Sequence, residues 1–344
     1  MLEIDGSYHE GGGQILRTAA ALSVVTKKPI HVFNIRKNRS EPGLKTQHLE
    51  GIKALADSCG AKLDGAKIGS TEIRFEPGDL FKKEIDIKIP TAGSIGLLFQ
   101  TLKIPFLHSK HPVTVNVDGG ATFNKWAPPV PYTQHVLLPI LEKMGCKIDI
   151  EIDKHGFYPV GGAKVKMKFE PCKKIKPLML EDFGSVKKIS GLSVASTHLG
   201  KARVAERQAE SALKLIEQAG YKTEITSHTI DTKSPGSGII LWVTTTKGAI
   251  FGSDILGERG SPAEYIGNEV AKELLKNIET ESTTDEHLCD QILPFMALAD
   301  GESIITTPKI TAHSETNIWV IKKFLNASFS VEKQEKNFRI VCSV

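Results

Sequence analysis

The residues able to do chemistry lie in six stretches of this 344-residue sequence. Glu10-Gly11-Gly12-Gly13-Gln14 sets three glycines ahead of a run with helical apolar spacing. Bare backbone can approach a phosphate closely, and the free N–H groups of a helix start favour an anion. Glu10 beside such a site is repulsive alone, so a bridging Mg2+ or Mn2+ is its natural partner. The same run also reads as a tight strand-to-helix turn. Between Ile35 and His48, Arg36, Lys37 and Arg39 follow the end of a predicted strand, and Gln47 and His48 come just before the next helix. Arginine forks match phosphate oxygens, although short charge runs are usually solvated loops. Arg17, one helical turn past Gln14, either joins this cluster or pairs with a carboxylate.

Thr91–Gln100 places small residues before an apolar helix, with Gln100 as a polar group on an apolar face. It reads as a second phosphate-facing helix start or as close packing. Gly119–Tyr132 is a loop rich in proline and aromatic faces, including Pro128 and Tyr132. Such faces sandwich a base, or simply pack. Asp285–Gly301 reads as a buried helix with polar first turns carrying His287, Asp290 and Gln291. A buried Asp290 demands a partner. In Thr307–Asn317 a histidine, His313, sits in a polar loop ahead of a helix. One histidine among eleven is more often structural than catalytic. A serine-hydrolase reading is weaker still, because no GxSxG elbow is present.

The elements that must position these groups follow a rhythm of helix, glycine stop and strand. Leu49–Cys59 ends at Gly60, Val136–Met144 at Gly145, and Ala205–Ala219 at Gly220. A glycine just past a helix is the expected left-handed cap. Stops about 75–85 residues apart are too widely spaced for a solenoid. They suit a few similar α/β units, each with one or two helices on a sheet. Polar Glu279–Thr284 and Lys173–Phe183 read as linkers, and the segment between them as strand, helix, strand, strand and helix. The five cysteines, scattered without CxxC spacing, predict neither a zinc site nor a disulfide framework. A net charge of +4 allows a polyanionic partner without demanding one. No apolar run reaches the roughly 18 residues that span a bilayer. The opening residues predict a first strand rather than a signal peptide, so a cytoplasmic protein is expected.

Taken together and in order, these stretches resemble the RNA 3′-terminal phosphate cyclase family. The matching pieces are Glu10–Arg17, Arg36–His48, Ala92–Gln100, Gly119–Tyr132, His155–Gly162, Asp290–Ala299 and Thr311–Asn317. His155-Gly156-Phe157-Tyr158-Pro159 with Gly161-Gly162 is the most specific of them. The resemblance implies an α+β fold whose large domain, residues 1–182 and 278–344, repeats βαββ-type units. Its kin are a translation initiation factor's C-terminal domain and the enolpyruvyl transferases. A smaller α/β domain, residues 183–277, is implied between the last two units.

The resemblance further implies that His313 is an adenylylated nucleophile and Glu10 the metal-binding glutamate. Arg17, Arg36, Arg39, Gln47 and His48 correspond to phosphate-binding groups. Gln100, Pro128, Tyr132, Asp290 and Gln291 correspond to the adenosine pocket. His287 stands where relatives commonly carry a stacking tyrosine, Tyr8-His9 where small residues are frequent, and Pro131 where an acidic residue is often found. The implied reaction consumes ATP and turns an RNA 3′-phosphate end into a 2′,3′-cyclic phosphate through histidine–AMP and RNA(3′)pp(5′)A. Two other readings share the architecture. A non-catalytic ribosome-assembly scaffold would lack His313, and an enolpyruvyl transferase would lack the His155–Pro159 signature. The resemblance leaves the oligomeric state open.

Overall fold

The structure, a computed structural model, describes residues 1–344. The first unit runs β1 (Leu2–Asp5), α1 (Gly13–Thr26), β2 (Ile30–Phe33), α2 (Thr46–Cys59), β3 (Lys62–Asp64) and β4 (Ile73–Glu76). The second runs β5 (Glu84–Ser94), α3 (Ile95–Leu107), β6 (Val113–Ala121), α4 (Val130–Tyr132), a π turn (Thr133–Leu137), α5 (Leu138–Lys143), β7 (Ile148–Lys154) and β8 (Lys164–Phe169). The third opens with a two-residue strand, β9 (Met179–Leu180), and the chain then leaves it. The excursion is β10 (Val186–Ser196), α6 (Val204–Gln218), β11 (Thr223–Ile230), β12 (Ser237–Thr245), β13 (Ile250–Leu256) and α7 (Ala263–Glu279). The third unit resumes with α8 (Glu286–Leu298), β14 (Ser303–Thr307), α9 (Ala312–Phe324), β15 (Ser328–Lys333) and β16 (Phe338–Ser343).

Each unit closes a four-stranded sheet by one rule. The first two strands pair in parallel, the last pairs antiparallel with the second, and the third takes the outer edge. The orders β1-β2-β4-β3, β5-β6-β8-β7 and β9-β14-β16-β15 are therefore the same. The unit is βαβαββ, with two helices per sheet where βαββ was expected. Strands 186–256 pair only with one another, in the order β11-β10-β12-β13. They branch off after β9, so the excursion falls inside the third unit and not between the last two. It also carries one strand more than expected, β13.

Alternation sets the sheets. In β8, Val165, Met167 and Phe169 face the core while Lys164, Lys166 and Lys168 face solvent. The helices pack on one another inside: α1 on α3 and α9, α2 on α3, and α8 on α9. One core of 65 buried residues joins all three units, and 13 more make a separate core around β10–α7. Between them Phe123 and Phe157 pack on Val194 and Ile240. Gly238 makes that junction possible, since a Cβ there would lie 2.5 Å from Phe123. The His155–Gly162 signature belongs to this junction. His155 Nδ1 meets Thr122 Oγ1 at 2.9 Å, and the Val160 amide donates to Ser234 Oγ at 3.0 Å.

The polar Glu279–Thr284 run contradicts its reading as a solvated linker. Ser282, Thr283 and Thr284 are buried. Thr283 Oγ1 donates to the Leu180 carbonyl at 2.7 Å, and Thr284 Oγ1 to that of Thr306 at 2.9 Å. Hydroxyls here satisfy strand backbone that would otherwise be orphaned.

Asp285 follows directly. Its carboxylate caps α8 by accepting the His287 and Leu288 amides at 2.9 and 2.8 Å. It also accepts the Tyr132 hydroxyl at 2.7 Å and the Gly252 amide at 2.9 Å. One buried carboxylate thus ties α8 to α4 and to β13. Asp285→Ala strands those donors in the core, so the unfolding free energy should fall by about 3 kcal/mol or more. Urea titration checks this, and a loss under about 1 kcal/mol would mean that water substitutes freely for the carboxylate.

Candidate active site

Glu10 and His313 lie 303 positions apart in the chain and 2.7 Å apart in space, Oε2 to Nε2. The approach of α1 to α9 brings them together. Gln14 Nε2 donates to the His313 carbonyl at 3.0 Å, and Thr18 Oγ1 to Asn317 Oδ1 at 2.9 Å. The run before the glycines is tied to α9 as well. Tyr8 stacks on Trp319 with centroids 4.2 Å apart, and His9 Nε2 meets Glu315 Oε2 at 2.8 Å. Tyr8 and His9, unusual in the resemblance, are therefore docking side chains. His313 lies in the first turn of α9 and not in a loop before it, because Thr311 Oγ1 caps the helix by accepting the Ser314 amide at 3.0 Å.

The glycine turn is a helix start with no side-chain cap, its N-cap being Gly12. The first amides of α1 therefore lack intrahelical partners. Two basic side chains crowd the turn. A Cβ on Gly13 would sit 2.2 Å from His48 Nε2, and one on Gly12 would sit 3.2 Å from Arg39 Nη2. Arg39 also reaches Glu10 Oε1 at 2.7 Å, so both Glu10 oxygens are engaged. α2 begins at Thr46, three residues before the expected start, which puts Gln47 and His48 in its first turn. The Lys45 amide donates to His48 Nδ1 at 3.4 Å, leaving Nε2 to carry the proton toward the turn. The Ser94 amide donates to Gln47 Oε1 at 3.3 Å, which docks the start of α3 beside them.

The cations differ in how free they are. Arg36 spends Nη1 on the carbonyls of Glu41 and Gly43, at 2.7 and 2.8 Å, and so braces its own loop. Burial and then Arg39 lower its pKa. Arg17 is buried and donates from Nε to Gln100 Oε1 at 3.1 Å. Burial lowers its pKa to about 10, still charged at neutrality.

The third group surrounds α8. Asp290 Oδ2 lies 3.6 Å from His313 Nδ1. Burial raises its carboxyl to about 7, against the pull of His287, Lys103 and Arg17. Pro294 inside α8 has no N–H for the Asp290 carbonyl, and Asn317 Nδ2 supplies one at 2.7 Å. Gln291 is buried, with Nε2 on the His287 carbonyl at 3.2 Å. The His287 ring is half exposed. Burial opposes its charge, but Asp285, Asp290 and Glu286 outweigh that and raise its pKa. Pro128 is half-buried, its carbonyl oxygen 2.3 Å from where a Cβ on Gly96 would sit. Tyr132 is fully enclosed with its hydroxyl on Asp285, so it is a strut with no ring face open to a base. Several groups act on His313. Burial lowers its pKa, Glu10 opposes that, and Arg17, His287 and Arg39 lower it further.

An imidazole of lowered pKa beside a carboxylate, with phosphate-matching cations around an uncapped helix start, is equipped for attack on phosphorus. The RNA 3′-terminal phosphate cyclase family matches this sequence over residues 8–331. The chain belongs to that family. Curated relatives called RNA 3′-terminal phosphate cyclase align nearly end to end. The Methanopyrus kandleri protein is 43% identical over 97% of this chain and 96% of its own. That of Pyrobaculum aerophilum is 42% identical over 98% and 97%, and that of Thermococcus kodakarensis 45% over 96% and 94%. The solved enolpyruvyl transferase NikO from Streptomyces tendae aligns over 99% of this chain and 48% of its own, at 9% identity and TM-score 0.38, too distant to bear on the site.

The sequence assigned no role to Lys103, Asn317 or Thr18, which the structure places beside Gln291, Asp290 and α9. Lys103 had a signal, since it follows Gln100 by three residues in an otherwise apolar helix. Asn317 and Thr18 had none, because their role is set by which helices meet.

His48 yields a pH prediction. Burial, then Arg17, Arg36 and Lys45, depress its pKa to about 3. A depressed histidine favours the folded state above its unfolded pKa, and that contribution is lost as pH falls. Stability should therefore drop from about pH 6.5 toward pH 3 more steeply than in His48→Gln. Ring NMR should show His48 neutral throughout pH 5–8, and a midpoint near 6.5 would contradict the burial argument.

Proposed function

We propose that this chain is an ATP-dependent RNA 3′-terminal phosphate cyclase, with His313 as the residue that carries AMP. The observation that supports this most directly is His313 Nε2, 2.7 Å from Glu10 on the side facing the glycine turn. No helix is long and apolar enough to cross a membrane, and the reading takes the protein to work in the cytoplasm on RNA ends. It also takes residues 183–277 as an inserted domain and 1–182 with 278–344 as the catalytic one, in keeping with the separate sheet and core of the excursion.

In the first step neutral His313 attacks the α-phosphorus of ATP. An N–P bond forms, the P–O bond to pyrophosphate breaks, and pyrophosphate leaves. Nε2 is the attacking atom, since Nδ1 faces Asp290 inside the protein. Arg39, His48 and the first amides of α1 hold the phosphates, His48 donating as a neutral ring. In the second step an oxygen of the RNA 3′-phosphate displaces His313 from phosphorus, leaving RNA(3′)pp(5′)A. In the third the adjacent 2′-OH attacks the 3′-phosphorus and AMP departs with the bridging oxygen. This last step needs little beyond positioning, because nucleophile and electrophile share one ribose.

Glu10 faces the glycine turn with its two oxygens on Arg39 and His313, so an ion shared between this carboxylate and substrate phosphates, as Mg2+ or Mn2+ commonly is, would take the place of one of these contacts. Bound there, the ion would offset phosphate charge. The adenosine would lie toward Gln100, Pro128, Asp290, Gln291 and His287, with the enclosed Tyr132 supporting from behind.

Incubation with α-labelled ATP and Mg2+ should leave label on the denatured protein, acid-labile and alkali-stable as a phosphoramidate is. His313→Ala should reduce it by about three orders of magnitude or more, and full labelling of that variant would refute the assignment. The steps separate on the substrate side. A strand ending in 2′-deoxyribose 3′-phosphate should stall as the adenylylated anhydride, while a ribose end yields cyclic phosphate and AMP. A 3′-OH end should stay inert. Gel mobility and phosphatase resistance read the outcome, and cyclisation without ATP would overturn the scheme.

A further inference from the structure

The loop between β6 and α4 carries an aromatic side chain that neither the fold nor the scheme above uses. Trp126 is 95% exposed, the most exposed of the large apolar side chains, and Tyr158 follows at 75%. The Trp126 backbone is left-handed, with φ 59°. That conformation strains a bulky residue and suits glycine. A side chain that buries almost no surface on a strained backbone contributes little to folding, and a ligand is the natural account of it.

The loop is nevertheless fixed. Asn124 pairs with Ala127 across the turn, Asn124 Nδ2 donates to the Ala92 carbonyl at 2.6 Å, and Lys125 Nζ reaches Glu258 Oε1 at 2.7 Å. Tyr158 comes from the adjoining loop. The Thr122 amide donates to the Gly156 carbonyl at 3.0 Å, and Phe123 packs on Phe157 with centroids 5.6 Å apart. Gly161 seats that second loop on the end of β5, since a Cβ there would lie 2.9 Å from the Thr91 carbonyl oxygen. Both aromatics therefore stand on loops anchored at Thr91-Ala92. The next two residues meet α2 at the phosphate-binding cluster. A Cβ on Gly93 would lie 3.5 Å from Gln47 Cβ, and Ser94 donates to Gln47 Oε1. Exposed Lys233 runs over Gly162, its Cδ 2.6 Å from where a Cβ would be.

Exposed aromatic faces with cations nearby suit single-stranded nucleic acid, whose bases stack on the rings while its backbone follows the charge. A small-molecule site encloses most of its ligand. A ring as open as Trp126 fits a chain of nucleotides that continues into solvent. We propose that Trp126, with Tyr158 beside it, is a stacking platform for the bases just 5′ of the RNA 3′-phosphate. This rests on an RNA 3′-phosphate end being the substrate, held at the glycine turn. It adds recognition of the nucleotides behind that phosphate.

The experiment is binding of a short fluorescein-labelled RNA with a 3′-phosphate to the full chain, followed by polarisation. Trp126→Gly should weaken binding about tenfold, and Trp126→Phe should recover most of the loss. The thermal midpoint of W126G should not fall, because glycine suits the left-handed turn; a structural tryptophan would lower it. If W126G does not fold, W126A must show the same weakening. Tyr158→Leu should weaken binding severalfold. Replacing the last bases one at a time by abasic sites should reveal a position that costs the wild type about tenfold and costs W126G nothing further. Unchanged binding by W126G, or abasic and W126G effects that multiply at every position, would overturn the platform. A raised KM for ATP in self-labelling, with RNA binding intact, would give Trp126 to adenine and overturn it equally. A wild-type chain that binds the RNA at Trp126 without cyclising it would strike the proposed function and leave the platform standing.

Discussion

The contact between α1 and α9 is the constraint on which the site depends. Each helix starts at a turn that carries one member of the contacting pair, Glu10 before α1 and His313 in the first turn of α9. Tyr8 on Trp319, His9 on Glu315, Gln14 on the His313 backbone and Thr18 on Asn317 fix the register between them. A slip of one helical turn would move His313 about 5.4 Å and break its contact with Glu10. Asn317 extends the register to α8 through the Asp290 carbonyl, a bond available because Pro294 cannot donate it. His313, Glu10 and Asp290 are therefore placed by helix packing and backbone accounting more than by any loop.

Much of the fold was legible because its signals are local. Glycine stops after helices and the alternation in strands such as β8 report themselves within a few residues. What stayed hidden was non-local or too short. β9 has two residues and carries no period, yet it decides that the excursion lies inside the third unit. β15 and β16 have mixed exposure, so their alternation is blurred. Glu279–Thr284 looked like a linker since its side chains are polar. They are polar because they bond to the backbone around β14, which composition cannot distinguish from solvation.

The site divides in the same way. Residue type alone left Glu10, Arg39, His48 and His313 each as easily structural; only the resemblance singled them out, and helix packing is what brings them to one glycine turn. Pairing disclosed the rest. Arg36 and Arg39 look equivalent in sequence, but one braces its loop through two carbonyls and the other reaches Glu10. Tyr132 offers an aromatic face on paper, and in space its hydroxyl is consumed by Asp285. The aromatic signature His155–Pro159, the most recognisable run, carries no reacting group in this scheme and serves the junction with the excursion.

The Glu10–His313 contact also limits what state this arrangement represents. At 2.7 Å a neutral ring must donate Nε2–H to the carboxylate. That proton occupies the lone pair that an attack by Nε2 would use. The proposed attack requires the other tautomer, with the proton on Nδ1, 3.6 Å from Asp290 Oδ2. On that mechanism two changes would accompany phosphate binding: Glu10 turns to another partner, and the Nδ1 contact tightens. Arg39 already holds the other Glu10 oxygen and is at hand for the first change. The second favours a charged Asp290, which burial alone opposes. The arrangement thus holds His313 with its Nε2 bonded to Glu10, and under the proposed mechanism that bond keeps the ring from reacting until a phosphate ligand displaces Glu10.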